Sequence, residues 1–331
     1  TIQIGSATKS ATYISGSGSD TNTLVFEYTI VLGDTVSTGG VTTPANPLVL
    51  NGGALKDNLG NIANANFAAV TSGNGIVIET NANALAALSN AAQSNNASDI
   101  TTPLSTYVKA GVTGVGDYLS AINSALNTGN IGKDQADTTA EIQTIVDAYT
   151  AILALADTHI STSLTATALQ YSQIGVTGIN ETTTGATTVS SAIKAKLLSD
   201  AIDIKQATDV NTADKVQALA DAVNAVMRAA NGTISGAGAL TKDQLLLLGI
   251  KGVTDINLSK VLAAIDVTND NGTGVDTLDH LQTVVNNAVN IVNTAMQVIV
   301  DFANSNKVSA PNLPTPGITV PGVSTYETAG V

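Results

Sequence analysis

Hydrophobic and polar positions alternate singly near the start of the chain and recur at helical spacing through most of the rest. Thr23–Ile30 reads TLVFEYTI, with Leu24, Phe26 and Tyr28 on one face and Val25, Glu27 and Thr29 on the other. That is the period of a strand. Ala11–Ser15 precedes it across the turn-rich Gly16–Asn22, which predicts a hairpin. Leu48–Leu50 and Gly75–Thr80 read as further short strands, with the turn-forming Asn51–Asn61 between them. Residues 1–80 are therefore expected to be β, and residues 84–306 almost wholly helical.

Within the helical part, three stretches follow one plan. A helix ends in a Gly-rich turn at Ala110–Val115 (AGVTGV), Ile174–Ile179 (IGVTGI) and Leu248–Val253 (LGIKGV). Gly111, Gly175 and Gly249 stand where a helix C-cap calls for positive φ. A last helix then opens at Asp137–Ala148, Asn211–Ala222 and Asp276–Ala288, with Asp137, Asn211 and Asp276 expected as N-caps. Its apolar stripe is Ile142, Ile145 and Val146 in the first stretch, Val216, Leu219 and Ala220 in the second, and Leu281, Val284 and Val285 in the third. The second stretch carries about ten extra residues, placed at the Thr/Gly-rich Glu181–Thr188. Each stretch reads as a three-helix-bundle-like repeat, and repeats on this scale suggest a linear array. The boundaries fall at 83–158, 159–232 and 233–308. Residues 309–331 begin Pro-rich, and Pro311, Pro314 and Pro316 predict an extended linker leading to a strand.

Composition narrows the function. Charged residues are 12% of the 331, well below the ~25% of ordinary soluble domains. Thr, Asn, Ser, Gly and Ala fill the gap, a composition suited to an outer surface. Aromatic residues are 3%, so the cores must be built from Ala, Val, Leu and Ile. The formal net charge of −13 disfavours binding to nucleic acid or to an anionic membrane. It favours divalent cations wherever carboxylates cluster. The absence of Cys removes disulfides, thiolate metal sites and cysteine nucleophiles. The most apolar helix, near Val284–Val300, is interrupted by Asn286, Asn287, Asn290 and Asn293, so no membrane insertion is expected. The sequence starts at Thr1 with no basic-then-apolar leader, as in a processed chain or an excerpt.

Residues 1–82 resemble the later part of the bacterial immunoglobulin-like repeats of giant surface adhesins. The residues that carry the likeness are Ile4–Gly5, Ala11–Gly18 (ATYISGSG), Leu24–Ile30 with Gly33–Asp34, Leu50–Gly53 and Leu55–Asn61 (LKDNLGN). Pro316–Val331 (PGITVPGVSTYETAGV) is similar to the opening strand of the same repeat. The helical stretches resemble modules that lie between such units in large repetitive bacterial proteins. The resemblance implies an α+β multidomain chain: an incomplete Ig-like β-sandwich over 1–82, three helical repeats, and a linker and extended strand over 309–331 that joins the next Ig-like unit. Ile318, Val320, Val323 and Tyr326 would then be inter-subunit strand residues.

Candidate chemistry is sparse. His159 and His280 lie in different stretches and outside any HExxH pattern, so a structural or solvent-facing role is expected. Gly16-Ser17-Gly18 lies in a hairpin turn, and no Gly-rich loop leads into Lys-Ser/Thr. Asp20 and Asp34 fall at β turns. Oxygen-rich loops occur at Asp57, Asn58 and Asn61 and at Asp266, Asp270, Asn271 and Asp276, candidates for calcium. The second loop lacks EF-hand spacing and its final Glu. At the first, side-chain capping of a turn is the competing reading. No other cofactor is expected. The expectation is a non-enzymatic extracellular structural protein on a bacterial cell surface: a repeat of a filament, stalk or adhesin whose partner is a further copy of itself, head to tail, or a tandem neighbour in a longer chain that supplies the strands covalently. The alternatives are an adhesin module recognising a host or environmental protein or glycan, or an S-layer subunit.

Overall fold

The computed structural model describes residues 1–15, 23–31, 34, 40–57, 59–71, 81–94, 101–157, 165–305 and 319–331. It is a mixed α+β chain dominated by helix, with a few small antiparallel sheets. It forms two compact units. One comprises Thr1–Gln93, Thr102–Val115 and Lys133–Ile142; the other comprises Ser94–Thr101, Gly116–Gly132 and Gln143–Val331. The predicted strand Gly75–Thr80, the linker over 309–316, and Asp20, Asn58 and His159 lie outside the described residues.

In the first unit β1 (Ile2–Ile4) pairs with β2 (Ala7–Lys9) and with β5 (Val41–Thr42), giving the order β2-β1-β5. β3 (Thr12–Tyr13) pairs with β4 (Phe26–Glu27), Thr12 opposite Glu27 and Tyr13 opposite Phe26. This is the hairpin read from the sequence, reduced to two residues a side. Leu48–Leu50 forms no strand. Among the described residues of the β region only these two small sheets form, short of the expected sandwich. Two stacked sheets need two apolar inner faces, whereas Leu24, Val25 and Phe26 are all exposed, from both faces of the alternation. The buried cluster is Ile4 with Ile2, Tyr28 and Val41 half-buried around it. Helix α1 (Asn81–Ser94) buries Ala84, Leu88 and Ala92 along one stripe.

The helical succession begins with α2 (Leu104–Lys109), α3 (Leu119–Leu126) and α4 (Thr139–Leu153). It continues with α5 (Ala168–Gln173), α6 (Ser191–Asp203) and α7 (Ala213–Ala230), then α8 (Lys242–Leu247), α9 (Leu258–Asp266) and α10 (Leu278–Ser305). Short, middle and long helices thus recur three times. Between α5 and α6 the extra residues, read from the sequence as a Thr/Gly-rich insertion, form a hairpin, β6 (Thr182–Thr184) with β7 (Thr187–Val189). Thr and Gly favour a turn-linked pair there over a helix.

In the second unit α7 is central. It buries Ala, Val, Leu and Met on nearly every side, the pattern of a helix with neighbours all round. It packs on α6 of its own stretch, on α3 of the stretch before, and on α8 and α9 of the stretch after. Packing therefore runs across the 159–232 and 233–308 boundaries instead of closing each stretch into its own bundle. The small alanines of α7 allow close approach from several sides.

The long helices begin one residue later than expected. Thr138, Thr212 and Thr277 supply the capping oxygens, accepting from the N–H groups of Glu141, Lys215 and His280. Asp137, Asn211 and Asp276 stand just before the caps. Thr hydroxyl and Asp carboxylate are both good caps, so the pattern alone left the choice open by one residue.

The C-terminal segment corrects another expectation. Val323 and Tyr326 lie in a helix, α11 (Val323–Ala329), and not in a strand; Val320 is exposed and in no regular element, and Ile318 lies outside the described residues. Ser324–Val331 (STYETAGV) matches Ser105–Val112 (STYVKAGV) except at two positions. The same residues make the same helix end: Gly330 is left-handed, and the Val331 N–H bonds the Tyr326 carbonyl at 3.0 Å.

Candidate functional site

The most regular feature of the chain is the turn that follows each short helix. Thr167 and Gln170 form a reciprocal capping box at the start of α5, and Thr241 and Gln244 do the same at α8. At the other end, the N–H groups of Val112, Val176 and Ile250 bond the carbonyls of Tyr107, Tyr171 and Leu245 at 2.9, 3.0 and 2.9 Å. Those of Gly111, Gly175 and Gly249 bond Val108, Ser172 and Leu246. This is the Schellman arrangement, with its apolar contact between the residue after the glycine and the third residue before the cap. All six of those side chains are buried. The predicted glycines have φ of 77°, 82° and 94°.

A glutamine on the long helix holds each of the last two turns. The Gln217 carboxamide accepts from the Thr177 N–H at 2.8 Å and donates to the Thr177 carbonyl at 3.3 Å. Gln282 does the same to Lys251, at 2.8 and 3.0 Å. Each glutamine also donates to a side chain one turn on, Gln217 to Asp221 and Gln282 to Asn286, both at 2.8 Å. Gln143 makes the equivalent bond to Asp147 at 2.8 Å. One amide thus replaces a strand neighbour for one turn residue. The motif that reads as a helix opening in sequence is also a brace for the turn.

Lys194 on α6 is 1% exposed, yet its ammonium meets carbonyls and, among the described residues, no carboxylate. It donates to Gly178 at 3.1 Å and to Asn180 at 2.8 Å. Burial, with the Arg228 charge adding to it, pulls its pKa below the usual lysine value. The residue ties the second turn to α6, a role the sequence pattern concealed because a lone Lys in a helix ordinarily faces solvent.

The calcium candidates are engaged with their own surroundings. Asp57 accepts from the N–H groups of Leu59 and Asn61 at 2.9 and 2.8 Å and from the Asn61 amide at 2.9 Å. Those Asn61 bonds lower its pKa. Asp57 and Asn61 therefore come together as a capped turn. In the other loop Asp266 ends α9 and Asp270 is exposed, while Asn271 caps the turn through Thr273. Asp276 bonds Lys196 at 2.8 Å and His280 at 2.7 Å. Burial pushes its carboxyl up, but the Lys196 and His280 contacts outweigh that and leave it lowered. Among the described residues no three His, Cys, Asp or Glu side chains gather as a metal set.

Among the described residues Asp34 is the most enclosed carboxylate of the β region. It accepts from Tyr28 Oη at 2.7 Å and the Val31 N–H at 2.8 Å, and pairs with Lys9 at 2.6 Å. The Lys9 contact, then the Val31 and Tyr28 bonds, hold its pKa at about 2. It locks the turn after the Thr23–Ile30 segment to the β2 strand.

An open cleft at the starts of α5 and α6 is lined by Thr165, Ala166, Leu169, Ser191, Ala195 and Lys196. Among the described residues no helix is long and apolar enough to cross a membrane. No protein-family model, curated protein or solved structure matches the chain.

Proposed function

We propose that the chain is a non-enzymatic, extracellular structural segment of a bacterial surface protein, a stalk, filament or adhesin element made of helical repeats beside a β region of Ig-like ancestry. The observation that carries this reading is the recurrence of one braced turn: the same Schellman end, the same left-handed glycine and the same glutamine amide gripping the turn backbone. Its polar groups are spent on the fold itself. Helices shared between successive stretches transmit load along the chain, as in solenoids. The low charge content and Thr/Asn-rich surface suit an exposed extracellular array. Any calcium would act on the Asp/Asn loops as a stiffener.

Antibody labelling of intact producing cells, with electron microscopy of the purified protein, tests the reading. Surface label and rod-like particles are expected; label confined to the interior of permeabilised cells would overturn it.

One observation favours a ligand-contacting variant of this role. The β6–β7 hairpin projects exposed threonines, Thr183 and Thr188 paired across it at 3.1 Å, from the second stretch and, among the described residues, from no other. Glycan arrays and serum-protein pull-downs with and without residues 181–188 discriminate an adhesive from a purely structural segment.

A further inference from the structure

The long helices align on their glutamines. The aligned positions are Ile145, Ala148 and Ile152 in α4, Leu219, Ala222 and Val226 in α7, and Val284, Asn287 and Ile291 in α10. The first two sets are buried. In α10 Val284 is half-buried, Asn287 is exposed, and Ile291 is 58% exposed. Val298 is exposed as well. Val284, Ile291 and Val298 are spaced by sevens, the seam of a helix that packs along another helix.

The neighbours of α7 and α10 correspond by their place in the plan, with one exception. The contact of α3 with α7 corresponds to that of α6 with α10, and α6 with α7 to α9 with α10. The middle helix of the following stretch, α9, packs on α7; among the described residues α10 also packs on α11 but has no counterpart to that middle-helix contact. A second mark lies at the ends of the middle helices. Gly175 fits against Thr128, just past α3, and Asn130 Nδ2 bonds its carbonyl at 2.8 Å. Gly249 fits against Ile204, the C-cap of α6, and Lys205 Nζ bonds the Leu247 carbonyl at 2.7 Å. Each middle helix thus receives the short helix of the next stretch on its C-terminal end. The same end of α9 is Val267, and it is 83% exposed. Helix α11 has the cap of a short opening helix, but its Gly330 lies against Ile256, ahead of α9, and leaves Val267 bare.

We propose that Val267, Val284, Ile291 and Val298 form a docking face whose occupant is the short and middle helices of a further repeat of the same plan. The face continues the interface that α8 and α9 already make on α7. The occupant presents an apolar stripe such as Val261, Leu262 and Ile265 of α9, and a glycine turn against Val267. It also carries polar groups opposite Asn287, Asn290 and Thr294, which stand where α7 has Ala222, Ala225 and Ala229. The two amides select the incoming helix, since a wholly apolar stripe would leave them unpaired; the Thr294 hydroxyl already donates to the Asn290 carbonyl at 2.8 Å. The inference goes beyond the surface role and holds wherever the protein resides.

The chain has no Cys, so a single introduced thiol reports its own exposure. Residues 239–305 are appended after Val331, so that the added segment brings its own short helix and its own glycine turn. Ile291→Cys is placed in the 331-residue and the extended chain, with Val226→Cys as the covered reference. In the 331-residue chain the thiol at 291 should react at the rate of an exposed cysteine. In the extended chain it should react about tenfold more slowly or less, approaching Val226→Cys, because labelling then waits for local opening. Ile291→Asp should leave the melting temperature of the 331-residue chain unchanged and lower that of the extended one. Equal reactivity in both chains overturns the proposal. So does slow labelling of the 331-residue chain: if independent of concentration, its own residues cover the face; if it grows with concentration, a second copy does.

Discussion

The Gln282 side chain grips the backbone of Lys251 from both sides, accepting its N–H at 2.8 Å and donating to its carbonyl at 3.0 Å, across 31 residues of sequence. Gln217 holds Thr177 in the same way. Each bond is partly open to water, so its net worth is small, on the order of 1 kcal/mol. Two such bonds on one amide set the expected loss for Gln217→Ala or Gln282→Ala at about 1–2 kcal/mol, read by chemical denaturation. Glutamate separates the two sites. It still accepts the turn N–H but loses the donor to the carbonyl. At position 217 it also faces the Asp221 carboxylate, whereas at 282 it faces the neutral Asn286 amide. Gln217→Glu should therefore cost more than Gln282→Glu at neutral pH, and the gap should shrink in acid. Equal losses at all pH values would count against the bracing role.

Gly249→Ala tests the turn against its neighbour. The position has φ of 94°, and a Cβ there would overlap Ile204 Cδ1. Both the left-handed backbone and the close approach resist a side chain. Gly185, at φ 62° with open space beyond it, isolates the backbone part. Gly185→Ala should cost about 1 kcal/mol and Gly249→Ala clearly more, about 2–4 kcal/mol. Adding Ile204→Ala to Gly249→Ala should recover part of the difference, as a double-mutant cycle would show.

Much of this helical order was legible in sequence because it rests on local rules. A glycine four residues after a buried Tyr107, Tyr171 or Leu245 marks a helix end, whatever packs on it later. The N-caps were misplaced by one residue because Asp-Thr and Asn-Thr offer two competent oxygens side by side. The C-terminal strand was misread for a different reason. Pro311, Pro314 and Pro316 set an extended expectation, and the match of Ser324–Val331 to Ser105–Val112, which carries the helix, was the overlooked signal. The β region fared worst. A sandwich is decided by which faces become buried, and alternation in Thr23–Ile30 does not reveal that Phe26 stays exposed while Ile4 is enclosed. Lys194 and the Gln217–Thr177 brace depend on residues distant in sequence, which no spacing rule brings together.

Lys194→Ala should be among the more damaging single changes in the second unit. It removes a buried stem and leaves the carbonyls of Gly178 and Asn180 without their donor. Cavity and orphaned carbonyls together set the expected cost at about 2–4 kcal/mol. Lys196, two residues on, is half exposed and pairs with Asp276; Lys196→Ala should cost at most about 1 kcal/mol. Thermal melts of the two variants give the comparison, and similar losses would contradict the burial argument.

The β region should carry an acid-sensitive lock. Asp34 is held at about 2 by Lys9, Val31 and Tyr28, against roughly 3.9 for a free aspartate. A carboxyl whose folded pKa is depressed binds its proton more weakly in the folded state. Its contribution is therefore complete above the unfolded value, near pH 4, and is lost as pH falls toward 2. Lys9 moves the other way: the Asp34 bond raises its pKa, so its share is present below the ordinary lysine value and disappears only in strong alkali. Between these limits the lock should be flat with pH. The Asp34 carboxyl carbon, followed by NMR through an acid titration, should titrate well below the ordinary aspartate value, and chemical shifts of Tyr28 and Val31 should follow it. Asp34→Asn retains the size and an acceptor for Tyr28 but removes the charge that Lys9 neutralises. It should lower the stability of the β region at pH 7 and abolish this part of its acid dependence, leaving wild type and variant alike near pH 2. An unchanged acid profile in Asp34→Asn would show that the pairing with Lys9 does not stabilise the fold.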